Sequence, residues 1–150
     1  MKISRMLLFV TATVLSLSMA ATGALAGWEP ERFAAESTLE IMTVDAEGGE
    51  HWFPIWLVVV DGDVFIRLGN RAADRVAANT RSPIVSVRIA GEEFGSVQAL
   101  ATPGMADAVG DAMAEKYFSD LFIRILPHPM TMRLVPVVRQ AAAPPTTAVR

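Results

Sequence analysis

Arg67, Arg71 and Arg75 recur at every fourth residue. Arginine carries a flat, five-donor fork that grips phosphate or carboxylate through two parallel hydrogen bonds. If a helix begins near Asn70, Arg71 and Arg75 share one of its faces, and Arg67 projects from the end of the preceding strand. Such a trio forms either a pocket for a small anionic ligand or a solvated basic face partly neutralised by Asp74. Trp52 and Trp56 have the same parity on a strand-like run, so they share a face. Aromatic side chains placed this way either contact a planar ligand or fill a core or a dimer seam.

The remaining reactive residues are sparse. His51 and His128 are the only histidines. With Glu50 they offer nitrogen and oxygen ligands for a metal or haem iron. They lack the paired spacing that places two imidazoles on one helix face, so two exposed loop histidines and no metal site are expected. Lys116-Tyr117 can serve as a proton donor. Alternatively Tyr117 packs on the core and Lys116 pairs with Asp120 four residues on, worth a few tenths of a kcal/mol. Ser82, Ser86 and Ser96 fall in no nucleophile-elbow pattern. The chain has no cysteine, which removes disulfides, thiolate ligands, a cysteine nucleophile and a lipid anchor on a terminal cysteine.

These side chains need elements to hold them. Pro30 suits the first turn of a helix over 30–36. Residues 39–44 alternate like a strand, a turn follows at 45–49, and 51–60 reads as a second strand that turns apolar on both faces and is expected to be buried. Asp61-Gly62 between two strand-like runs is a strong hairpin signal, which makes 64–68 the antiparallel neighbour. An alanine-rich helix over 71–79 follows, then strands at 84–89 and 94–101 with a turn at 91–93. After Pro103-Gly104, Met105, Val109, Met113 and Tyr117 line one helix face while Asp107, Asp111 and Glu115 line another. An apolar connection over 121–126, a rigid Pro127-His128-Pro129 and a last strand over 130–138 complete the pattern. The ordered elements predict a mainly β, α+β fold: an antiparallel barrel of five to six strands, a short helix after the third strand and a longer helix near the C-terminus. Closure is favoured because it hides strand edges.

Composition narrows the function. Residues 1–26 have the basic start, apolar middle and Ala24-Leu25-Ala26 end of a secretory signal, so a periplasmic or secreted location is expected. Arg5 is followed by Met6 and not by a second arginine, which points to the general export route. Lys2 and Arg5 leave with the signal and no acid does, so the formal charge moves from −3 to −5. An acidic chain without a Lys/Arg cluster is a poor nucleic-acid partner. Beyond the signal no apolar run approaches the roughly 20 residues of a spanning helix. The division expected is a signal at 1–26, one domain at 27–139 and a tail at 140–150 rich in Ala, Pro and Thr.

Pro54-Ile55-Trp56-Leu57-Val58-Val59, Asp61-Gly62-Asp63, Val64-Phe65-Ile66-Arg67, Gly69-Asn70-Arg71, Ala77-Ala78-Asn79 and Val85-Ser86-Val87 follow one another in an order with a known counterpart. Together they resemble the split β-barrel of the pyridoxamine-phosphate oxidase-like, FMN-binding proteins. A second likeness runs across nearly the whole mature chain, to the bacterial domain-of-unknown-function family 2255. It rests on Trp28, Ile55-Trp56-Leu57-Val58-Val59, Arg67, Glu115-Lys116-Tyr117 and Thr131-Met132-Arg133-Leu134-Val135-Pro136. The first resemblance implies a homodimer with ligand sites at the seam. It also implies an FMN whose phosphate meets Arg67, Asn70 and Arg71 and whose ring lies against Ile55, Trp56 and Leu57. Asn70 stands where a serine is common and Ala72 where a lysine is usual, which leaves Arg67 and Arg75 to replace that cation. An FMN-dependent oxidoreductase acting on a small periplasmic substrate is one expectation. A non-catalytic dimeric binding module with another anionic ligand, or none, in the same cleft is the alternative.

Overall fold

A computed structural model describes residues 27–117 and 130–137. The expected signal, the connection at 121–129 and the tail lie outside them. The elements are α1 (Pro30–Phe33), β1 (Thr38–Val44), β2 (Glu50–Val60), β3 (Asp63–Leu68), α2 (Asn70–Ala77), β4 (Ile84–Ile89), β5 (Glu92–Ala101), a 3-10 turn (Pro103–Met105), α3 (Ala106–Lys116) and β6 (Met130–Pro136). The six strands close into an antiparallel barrel in the order β1-β2-β3-β6-β5-β4.

Period-two patterning builds the interior. Leu39 and Ile41, Leu57, Val64, Ile66 and Leu68, Val85, Val87 and Ile89, Val97 and Ala99, and Met132 and Leu134 form one buried cluster inside the barrel. Each large member contributes about 1.5–3 kcal/mol by leaving water. The Asp61-Gly62 hairpin forms as expected. Val60 pairs with Asp63, and both loop residues take positive φ, 51° and 78°. That geometry matches the twist of the flanking strands. The next turn is tighter than the sequence suggested: Ile89 pairs with Glu92, and Ala90-Gly91 turns with φ of 51° and 80°. Glu92 and Glu93 therefore belong to β5, because the same two-residue geometry joins these strands.

The hairpin end of the barrel is closed by α1. Trp28, Phe33 and Phe94 meet edge to face with ring centroids 5.0–5.9 Å apart, and Arg32 bonds Glu92 at 2.7 Å. The helix stops at Phe33, short of the expected Glu36. At the opposite end α2 turns Ala73 and Val76 into the core. Asn79, buried at its exit, accepts from the amides of Val44 (3.0 Å) and Arg81 (3.2 Å) and donates to the Ile84 carbonyl (2.9 Å). One amide side chain thereby ties β1, the loop and β4. Asn79→Ala takes the side-chain partner from two backbone donors and one backbone acceptor at once, and chemical denaturation should show a loss of about 2 kcal/mol.

Outside the barrel, α3 packs Val109 and Met113 on Val58 and Phe65. The apolar stripe read from the sequence does bury here, and Tyr117 packs against it as expected, although from beyond the end of the helix. The helix ends at Lys116, and Tyr117 is extended at φ −114° and ψ 104°. β2 also departs from the expectation of burial on both faces. Its ladder to β3 runs only over Leu57–Val60, whereas β1 pairs along Thr38–Val44 with Trp56 back to Glu50. Among the described residues the first half of β2 thus has a strand on one edge only, and the barrel splits there.

Candidate functional site

The split creates a cleft. α2 lies across the open part of β2, and Trp52, Phe53, Pro54, Ile55, Arg71, Ala72 and Arg75 line a cavity of about 340 Å³. That falls at the lower end of the roughly 300–1,000 Å³ typical of small-molecule sites. Arg71 and Arg75 stand one turn apart on the helix, both exposed. Among the described residues neither is in an ion pair. Arg32, Arg88 and Arg133 are each matched with a carboxylate. Asp74, the neutralising partner considered from sequence, pairs with neither cation of the cleft. The Arg75 guanidinium stands 5.4 Å from the centre of the Phe53 ring, a cation–π contact that leaves its fork available for an anion.

The candidate residues are therefore divided. Ile55, Arg71 and Arg75 meet at the cleft. Asn70 begins α2 just outside its wall. Arg67 is elsewhere: its parity is that of Phe65, so it leaves the barrel on the outer face and runs beneath α3. A β-carbon placed on Gly110 would lie 3.2 Å from its Nη1. The Arg67 Nε is buried and without a hydrogen-bond partner among the described residues. Leu57 points into the core and is 0% exposed. Trp56, 37% exposed, is stacked on Tyr117 at a centroid distance of 4.8 Å and an interplanar angle of 11°. Trp52 lines the cleft while also covering Arg88, whose guanidinium lies 3.7 Å from the Trp52 ring centroid.

Lys116 and Tyr117 do something the sequence did not disclose. Leu57 is where β2 leaves β1, so its carbonyl has lost a strand partner. The Lys116 ammonium donates to it at 3.2 Å and also to the Glu36 carbonyl. The Tyr117 hydroxyl lies 2.7 Å from the same oxygen and 2.6 Å from the Ser37 carbonyl. Asp120, the expected partner of Lys116, lies outside the described residues. Burial lowers the Lys116 ammonium below the ordinary lysine range, with the Glu36 charge opposing. These bonds fasten the end of α3 to the split. Tyr117→Phe removes one donor from a cluster that Lys116 still serves, and urea unfolding should register a loss of about 1 kcal/mol.

At the far side of Arg75 sits a second hollow of about 210 Å³, lined by Thr43, Val44, Asp45, His51, Arg75 and Ala78. His51 Nε2 lies 2.7 Å from Asp45 Oδ2, and the Gly49 amide donates to Asp45 Oδ1 at 2.6 Å. His51, expected to be exposed at the opening of the second strand, is exposed as the second residue of β2, and a carboxylate across the turn orients its ring. His128 lies outside the described residues. Among the described residues no group of three or more metal-ligating side chains gathers. The Asp45 carboxyl is held below the usual range, first by His51 and then by the Gly49 amide. A depressed folded value means that this contribution is complete above the unfolded carboxylate range and is lost as pH falls through the folded one.

No protein-family model matches the chain, and no curated protein matches it. The likeness to family 2255 thus rests on its quoted residues alone. Solved structures do match. HutZ, described as the heme storage protein from Vibrio cholerae, is 21% identical over 72% of this chain and 87% of its own, with a TM-score of 0.53. A structure described as a domain-swapped dimer is 14% identical over 67% of this chain and 80% of its own, with a TM-score of 0.50. These likenesses show a shared split-barrel fold.

Proposed function

We propose that this chain is an exported split-barrel protein whose β2–α2 cleft holds a planar, anionic cofactor, with FMN as the occupant. The observation that carries the reading is the pair Arg71 and Arg75, two cations without carboxylate partners among the described residues, facing the open edge of β2 across a cleft. Two unmatched arginines one helical turn apart suit a phosphate. The open edge of β2 suits the polar rim of a ring system, since its backbone groups lack a strand there. Trp52, Phe53 and Ile55 supply the apolar wall. Ala72, in the cleft wall, gives no third cation, and Arg67 is too deep under α3 to replace one.

Bound flavin would supply two-electron chemistry. The chain's own part is to hold the phosphate on Arg71 and Arg75 and to keep water from the apolar wall. A small substrate in the exported compartment fits the signal-like residues 1–26. The second reading is a binding module with the same cleft and no turnover. It is favoured by Ala72 and by the HutZ likeness, in which the named ligand is heme, another planar group. The mature chain, beginning at Gly27, is titrated with FMN and in parallel with heme and followed by absorbance and tryptophan quenching. Saturable FMN binding supports the first reading. Heme binding alone supports the second, and no response to either overturns both.

The same open edge and the exposed Trp56 support a homodimer, because an uncovered strand edge invites pairing with another chain. Sedimentation of the mature protein at tens of micromolar should give twice the monomer mass; a monomer there removes the dimer.

A further inference from the structure

The hollow behind Arg75 is built by local chemistry. Asp45 and Gly49 close the β1–β2 turn through a backbone bond from the Asp45 amide to the Gly49 carbonyl (3.0 Å). Gly48 takes the left-handed conformation the turn needs, at φ 83°. This places the Asp45 carboxylate against His51 Nε2 and leaves Nδ1 for another partner. From the opposite side α2 brings Arg75, and Val44 and Ala78 provide an apolar floor. A volume of about 210 Å³ is below the range for drug-sized ligands but admits a single tetrahedral or carboxylate group.

We propose that this second hollow binds a small oxyanion, a phosphate or carboxylate group, between the Arg75 guanidinium and the His51 imidazolium, with Asp45 orienting the ring. The charges set the pH response. Asp45 and Arg75 cancel, so the hollow is neutral with neutral imidazole and carries one positive charge once His51 is protonated. Glu40 on β1, Glu47 in the turn, Glu50 on β2 and Asp74 on α2 are the other acidic groups on the surrounding elements and oppose anion binding, whereas Arg71 on α2 and Arg81 in the loop after it are further cations. Protonation of the imidazole adds a second cation to the hollow, so the anion should be held more tightly in acid than in base. The inference stands apart from what occupies the β2–α2 cleft, although Arg75 lines both.

The test uses the mature chain, without flavin, and sulfate as the probe, because sulfate keeps its charge across this pH range. Binding is followed by NMR at the His51 ring and the Gly49 amide. A saturable shift is expected, at least about fivefold tighter at about pH 5.5 than at about pH 8. Arg75→Gln should weaken it at least about tenfold, and His51→Gln, read at the Gly49 amide, should flatten the pH profile. Inorganic phosphate and acetate, titrated at about pH 5.5, distinguish a phosphate site from a carboxylate site. Arg71→Ala should leave the sulfate shift unchanged, which separates failure here from failure of the flavin reading. Sulfate affinity that ignores pH, or that survives both Arg75→Gln and His51→Gln, overturns the proposal.

Discussion

Replacing Arg71 by alanine is expected to weaken FMN binding by about 1.5–3 kcal/mol, the range for a hydrogen bond to a charged group, and to move the melting temperature of the free protein hardly at all. Both halves follow from the position of the side chain. Arg71 is exposed on α2, lines the cleft, and has no carboxylate partner among the described residues. Removing it breaks nothing in the fold, since surface substitutions away from such partners usually stay within about 0.5 kcal/mol. Arg67→Ala gives the contrast. Its guanidinium runs under Gly110 of α3, so the change should cost stability and leave FMN affinity untouched. Melting curves of wild type and both variants, with and without FMN, distinguish the roles. Equal ligand-induced shifts in wild type and Arg71→Ala would place the phosphate elsewhere.

Phe33→Ala should destabilise the protein by about 3–5 kcal/mol, the largest effect expected of a single core truncation here. Phe33 is 0% exposed and touches both Trp28 and Phe94 edge to face. Truncation therefore opens a cavity at the hairpin end and removes two ring contacts, each worth about 0.5–1.5 kcal/mol beyond area burial. α1 is a single turn, too short to be stable by itself, so without Phe33 it should detach from the barrel. Denaturant unfolding measures the loss, and Trp28 emission should shift red as water reaches the ring. A loss under about 1 kcal/mol would mean that α1 is not the plug of the barrel.

Much of the architecture is written locally. The alternation of 84–89 and 64–68 sets which side chains face inward. Asp61-Gly62 dictates a two-residue turn because both positions need positive φ, and closure follows from strands that would otherwise expose edges. The arginines show where local reading stops. Spacing of four makes Arg67, Arg71 and Arg75 look like one cluster, but Arg67 is still on a strand, where parity and not helical spacing decides direction. Val64, Ile66 and Leu68 face inward, so Arg67 must face outward with Phe65, a signal present in the sequence and outweighed by the regular interval.

Other features have no local signature. The Leu57 carbonyl needs Lys116 and Tyr117 only because β2 parts from β1 at that residue, and the point of parting is fixed by register between strands. The pairing of His51 with Asp45 depends on how the turn at 45–49 closes. The sequence by itself determined the inward faces of β3 and β4, the Asp61-Gly62 hairpin and the position of a short helix after the third strand, since these depend on φ/ψ preference and side-chain period within a few residues. Only the tertiary structure decided which cations meet at the split and which carbonyls the end of α3 must satisfy. Those follow from where one ladder ends and another begins, an outcome of the whole barrel and of no segment within it.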